Sequence, residues 1–148
     1  MALVVQKYGG TSVASVDRIR KVAARILLTE EKHQHMVVVL SAMGNTTDTL
    51  KKMAAQLDEE PTGREWDMLA STGEQVSIAL LAMALRQKGC DAISLTGWQA
   101  GIRTESTHSD ARIEHIDPMP IRKHLDEGKV VVVAGHAPCV SRCRGLTL

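Results

Sequence analysis

The chain has 148 residues, enough for one domain with a real core, because a domain of this size buries roughly two thirds of the surface its unfolded chain exposes. Its 18 Lys plus Arg against 17 Asp plus Glu leave a net charge of +1, which excludes the one-signed field that draws a protein to nucleic acid. With no Phe, one Tyr and two Trp the core must be aliphatic, no apolar run approaches the ~20 residues of a membrane span, and Cys90, Cys139 and Cys143 are too few and too irregular for a secreted disulfide framework.

Leu3 to Gln6 reads as a short buried strand, and Ser15 to Glu30 as a helix with Val16, Ile19, Val22, Ala23, Ile26 and Leu27 on one face. Met36 to Leu40 is a continuous apolar run, as expected of a strand covered on both faces. Thr47 or Asp48 then caps a helix carrying Leu50, Met53, Ala54 and Leu57, which "EEPTG" stops. From Thr62 to Lys88 the spacing is helical, with "STGE" interrupting at an N-cap position before Val76, Ala79, Leu80, Met83 and Ala84, and Gly89 closing the helix. "DAISLTG" supplies a third strand, and residues 98–117 read as a long polar, irregular loop. "PMPIRKHLDEG" is a short helix opened by Pro118 or Pro120 and closed by Gly128, and "KVVVVAG" is a fourth strand.

Strands alternating with helices predict an α/β domain with a mainly parallel sheet and helices on both faces. The pattern stops at residue 134, so the expected organisation is a domain over 1–134 and a divergent, disordered tail over 135–148. The sheet then looks incomplete at its C-terminal end. Val130 to Val133 is expected to lie at an uncovered edge, and the chain to self-associate through it. The first residues carry neither a basic leader nor a small-residue cleavage site, which predicts a cytoplasmic protein without membrane contact.

Ligands of open parallel sheets bind beyond the carboxyl ends of the strands, so the loops after strands are where chemistry is sought. Those loops are "KYGGTSV", "SAMGNTTD" and "TGWQAGIRTE", all rich in Gly, Ser and Thr. In the first, Gly9 and Gly10 let the backbone approach an anion, Thr11 and Ser12 add donors, and Lys7 adds a compensating charge. A strand-to-helix turn with Ser or Thr as N-cap would use the same glycines and hydroxyls, but it has no need of the lysine. Neither a Walker GxxxxGK[ST] loop nor a GxGxxG is present. Ser41 follows the second strand, and Thr46, Thr47 and Asp48 stand at a helix start where capping needs only one of them. Glu74 lies three residues after Ser71, where a capping box and a ligand contact are both open. His136, Cys139 and Cys143 offer three metal ligands where a structural zinc site wants four, so no metal site is expected there.

Taken together, "VVQKYGGTSV", "VVVLSAMGNTTD", "LASTGEQVS", "SLTGWQAGIRTE" and "VVVVAG" resemble, in order and interval, the aspartate kinases of the amino-acid kinase fold family. The resemblance covers residues 1 to about 135, the N-terminal half of such a catalytic domain. It implies a three-layer α/β/α sandwich and transfer of the γ-phosphoryl of MgATP to the side-chain carboxylate of L-aspartate, giving 4-phospho-L-aspartate for lysine, threonine and methionine synthesis. Carried over, Lys7 would lie against the transferring phosphoryl group, with Gly9, Gly10 and Ser12 around the nucleotide phosphates. Ser41 and Thr47 would contact substrate or phosphate, and Glu74 would pair with the aspartate ammonium. Tyr8 stands where the family more commonly has phenylalanine. The family's Phe-Gln-Gly type turn and second Gly-rich segment are replaced by "AGHAPCVSRCRGLTL", so little activity is expected from these residues alone. Other amino-acid or nucleotide kinases are rival readings, as is a non-catalytic module that pairs with an intact kinase subunit.

Overall fold

Leu3–Tyr8 forms strand β1 and leads through a 3-10 turn at Gly10–Val13 into helix α1, Val16–Glu30, in the computed structural model, which describes residues 3–30, 35–105 and 111–135. β2 (His35–Leu40), α2 (Thr46–Ala54), α3 (Gly63–Arg86) and β3 (Ala92–Leu95) follow, then a hairpin of β4 (Ile102–Thr104) and β5 (Ile113–Ile116), then α4 (Met119–Asp126) and β6 (Val130–Ala134). β1, β2, β6 and β3 make one four-stranded sheet in that order, all parallel.

Strand alternation sorts the core into two layers. Met36, Val38 and Leu40 of β2 and Val130, Val132 and Ala134 of β6 face α1 and α3, which bring Ile19, Val22, Ala23, Ile26 and Ile78, Leu81, Ala82, Leu85. Val37, Val131, Val133 and Leu95 face the other way, against Leu125 and Ile121 of α4. The three-layer α/β/α arrangement expected from the element order is the one observed. α3 is long and apolar enough to cross a membrane by length and composition, but its apolar stripe is spent on the sheet.

Four expectations are corrected. β6 is not an edge: Val37 to Leu40 pair with Val131 to Ala134 on one side, and Ala92 to Leu95 with Val130 to Val133 on the other. The connection through α4 returns the chain to the gap between β2 and β3, so the last strand in sequence is internal in space. The "STGE" segment does not interrupt α3. Ser71 and Thr72 turn their hydroxyls back to the carbonyls of Met68 (2.8 Å) and Leu69 (2.7 Å), so the helix runs through and no capping box forms. Neither Thr47 nor Asp48 caps α2; Asn45 holds that position, and Thr46 donates to the Met43 carbonyl at 2.6 Å.

The loop over 98–117 contains the β4–β5 hairpin. Its base closes through Asp117 N–H to the Gly101 carbonyl at 2.9 Å, where Gly101 has φ +85 and a Cβ would stand 2.1 Å from the Asp117 oxygen. Only glycine fits there. The tail at 136–148, including His136, Cys139 and Cys143, lies outside the described residues.

Candidate functional site

Parallel strands end together. Tyr8 is paired with Leu40, Leu40 with Ala134, and Val133 with Leu95, so the loops leaving β1, β2, β3 and β6 open along one edge of the sheet. This is where open parallel sheets take their ligands.

The loops after β1 and β2 are fastened backbone to backbone. Gly44 N–H donates to the Gly10 carbonyl at 2.9 Å, and Ser41 N–H to that of Tyr8 at 3.1 Å. A Cβ on Gly10 would come within 2.7 Å of the Ala42 oxygen and 3.1 Å of the Gly44 oxygen, so this approach needs glycine. Gly9 is different: a Cβ there would meet nothing within 4 Å, and its backbone borders open space. Capping of α1 falls to Ser15, whose Oγ accepts the Arg18 N–H at 3.3 Å and whose carbonyl accepts that of Ile19 at 2.9 Å. Thr11 and Ser12 are therefore not spent on the helix.

α3 is pinned to the β2 loop at the turn that carries Glu74. Ser77, wholly buried, donates to the Ser41 carbonyl at 2.8 Å, with the Glu74 carbonyl also in reach at 3.0 Å. One turn away, a Cβ on Gly73 would stand 3.1 Å from the Ala42 Cβ and 3.2 Å from Cγ2 of Thr46, so the helix and the loop are already in contact. Glu74 itself is buried in this seam. The third loop is closed by the Gln99 side chain, whose Oε1 accepts the Thr96 N–H at 3.0 Å, while the Arg103 guanidinium lies 5.9 Å above the Trp98 ring.

Gly9, Gly10, Ser41 and Glu74 thus form one connected set, and Thr47 stands exposed in the first turn of α2 beside it. Lys7 and Ser12 flank the end of β1. Val4 and Tyr8 pack toward α1, so Lys7, opposite Val39 in the register, points to the other face of the sheet. Ser12 shares a groove with Tyr8 on the α1 side. An anion touching both must lie over the strand's end. Lys7 makes no ion pair among the described residues. Sequence reasoning passed over Ala42, Gly73 and Ser77, the residues that bring the loops together. A Gly and a Ser four apart on the core side of α3 were the available signal.

A family model described as the amino acid kinase family matches residues 2–146. The aspartokinase of Geobacillus stearothermophilus is 58% identical over 135 residues, which cover 91% of this chain and 33% of the relative. The aspartate kinase structure from Synechocystis is similar with a TM-score of 0.77 at 47% identity, covering 97% of this chain and 24% of that one. E. coli aspartokinase III, solved in complex with aspartate and ADP, shares the fold with a TM-score of 0.71 at 22% identity, covering 90% of this chain and 40% of that one. The chain spans about a third of the length of the curated relatives it matches.

Proposed function

This chain belongs to the amino acid kinase family, and we propose that it carries the phosphate- and aspartate-binding part of an aspartate kinase, which moves the γ-phosphoryl group of ATP to the side-chain carboxylate of L-aspartate. The observation that carries this reading is the joint between the two halves of the edge. The backbone of the "GGTS" turn is docked on the β2 loop, and that loop is held by Ser77 to the turn bearing Glu74. This joint supports reading the turn's backbone as an anion site next to a carboxylate, Glu74, that would take an ammonium group, and the likeness to aspartokinases favours aspartate.

In this reading the open backbone at Gly9, with Gly10 and Ser12, holds nucleotide phosphates, and Lys7 neutralises the charge on the transferring phosphoryl oxygens. Ser41 and Thr47 orient the phosphoryl group and the substrate, and Glu74 fixes the aspartate ammonium. The attacking carboxylate is already ionised at neutral pH, so the residues need only align it and no general base is required. Among the described residues no cluster of three or more His, Cys, Asp or Glu is arranged to hold a metal ion, and in this reading Mg2+ would arrive with the nucleotide phosphates. Bound with the nucleotide, Mg2+ would supply further neutralisation of phosphate charge beside Lys7. The product, 4-phospho-L-aspartate, would serve lysine, threonine and methionine synthesis in the cytoplasm.

Calorimetric titration of MgATP and then L-aspartate into the chain tests this. Glu74→Gln should weaken aspartate by roughly 30-fold, the cost of leaving the ammonium unpaired in a buried site, and Lys7→Ala should weaken the nucleotide. Aspartate binding that ignores Glu74→Gln in a folded sample refutes the assignment. Turnover by these 148 residues should be small, since relatives are about three times longer; a normal rate refutes that part. A second reading, association with an intact kinase subunit, is favoured by the exposed apolar face of β1, with Leu3 at 55% and Val5 at 60% exposure. Mixing the chain with an intact aspartate kinase should then change the size or the rate of the latter.

A further inference from the structure

We propose that the groove between β1 and the flank of α1 is a second binding site, one for small molecules that carry two or more phosphate groups. It has a volume of about 400 Å³ and is lined by Tyr8, Ser12, Arg18, Lys21, Val22 and Arg25, a size suited to a small molecule. The lining holds three cations and no acid. Positions 18, 21 and 25 are three and four residues apart on one face of the helix, and at 1.5 Å per residue they span about 10 Å.

Like charges at this spacing oppose each other unless something neutralises them. Beside the groove the helix does this internally, where Arg20 donates to the Asp17 carboxylate at 2.7 Å. Inside the groove it does not. Arg18 uses one N–H on the Thr11 carbonyl at 2.9 Å, and the side chains of Lys21 and Arg25 make no ion pair or hydrogen bond among the described residues.

The wall opposite these cations is fixed. Tyr8 donates to Gln6 Oε1 at 2.8 Å, Gln6 Nε2 to Thr29 Oγ1 at 3.2 Å, and Thr29 Oγ1 to the Arg25 carbonyl at 3.1 Å, a chain of bonds that ties the strand to the turn bearing Arg25. Burial raises the pKa of Tyr8 more than the Arg25 charge lowers it, so the phenol stays neutral and brings no competing negative charge. Guanidinium forks pair with phosphate oxygens in two-point fashion, and a concave site this short favours a compact phosphate chain over an extended acidic segment. The site does not depend on the kinase reading. Lys7 lies on the opposite face of β1, and Ser12 is the one residue shared.

Tyr8 is the chain's sole tyrosine, so its ring signals in ring-labelled protein are unambiguous, and the Lys7→Ala variant separates this groove from the neighbouring phosphoryl-transfer site. Tripolyphosphate should give a saturable shift of those signals. The double variant Lys21→Gln/Arg25→Gln, both exposed positions that the fold does not need, should weaken it about tenfold or more. Arg20→Gln and Lys7→Ala should leave it unchanged. Equal affinity for ATP would assign recognition to the phosphate chain itself, and tighter ATP binding would make a nucleotide the source; both support the site. No saturable shift, a shift indifferent to the double variant, a shift lost in Lys7→Ala, or a response to poly-glutamate without one to tripolyphosphate would each overturn it. Loss of calorimetric nucleotide binding in Lys7→Ala with the Tyr8 titration intact separates this site from the phosphoryl-transfer site.

Discussion

β1 and β6 are both parallel strands of one sheet, and their surroundings are opposite. β6 has a neighbour on each side and a helix layer on each face, and none of its residues exceeds 5% exposure. Among the described residues β1 has one neighbour, packs Val4 and Tyr8 toward α1, and leaves Leu3, Val5 and Lys7 open on its other face. The difference divides the labour of the sheet. β6 is the frame that aligns the strand ends, and β1 leaves Leu3, Val5 and Lys7 exposed because no other described residue covers that side of it.

The sharpest way to break this comparison is to place the same charge in both strands. Val132→Asp would bury an unpaired carboxylate between β2, β3 and α3, at a cost of several kcal/mol against a total stability of about 5–15 kcal/mol. Circular dichroism should show the chain largely unfolded. Val5→Asp should fold with a melting temperature close to the parent's. Equal damage from both would mean that β1 is covered in solution.

A smaller effect separates the two adjacent glycines. Gly10→Ala forces a methyl group against the Ala42 and Gly44 oxygens and should cost about 1–3 kcal/mol, because backbone cannot yield as a side chain does. Gly9→Ala meets open space and should change stability by no more than about 0.5 kcal/mol while weakening nucleotide binding. Denaturant melts of the two variants read the first contrast, and calorimetry reads the second. Equal stability loss would show that Gly9 is also structural.

The same glycines mark how far the sequence could be read. Hydrophobic period and Gly/Pro punctuation are local quantities, and they placed α1, β2, β3, α4 and β6 well, along with the edge at which the loops converge. Spatial order is not local, and so β6 was expected outside and is found inside. "STGE" looks like a helix start because Ser and Thr cap well, yet packing of Ile78, Leu81 and Leu85 carries α3 through it, and the hydroxyls bond back within the helix. In the first loop, "GGTS" was legible as a glycine- and hydroxyl-rich turn between a strand and a helix. That Gly10 serves docking while Gly9 faces open space follows from Ala42 and Gly44, which are more than thirty residues away in the chain and visible only once folded.

Self-association gives the next test of the open strand. An edge left open among the described residues invites another strand, and the exposed Leu3 and Val5 of this one are apolar. Sedimentation should show a concentration-dependent mass for the parent chain and a shift toward monomer for Val5→Lys, whose charge opposes edge pairing. A parent that stays monomeric at high concentration removes β1 as the sticky edge.

The smallest effect lies at the turn into β6. Glu127 accepts from Lys129 Nζ at 2.7 Å and lies 3.3 Å from His124 Nδ1, and these bonds hold its carboxyl below the ordinary range although the group is exposed. The Lys129 ammonium is correspondingly raised by Glu127. A depressed folded-state value means stability present above the unfolded carboxyl's value and lost as pH falls through the lower, folded one. Glu127→Gln should therefore lower the melting temperature at pH 7 by only about 1–2 °C, as for other surface pairs, and the gap between variant and parent should close in strong acid. A large or pH-independent drop would mean that Glu127 fixes the path of the chain into β6, making the frame depend on its entry turn as well as on the aliphatic packing that surrounds it.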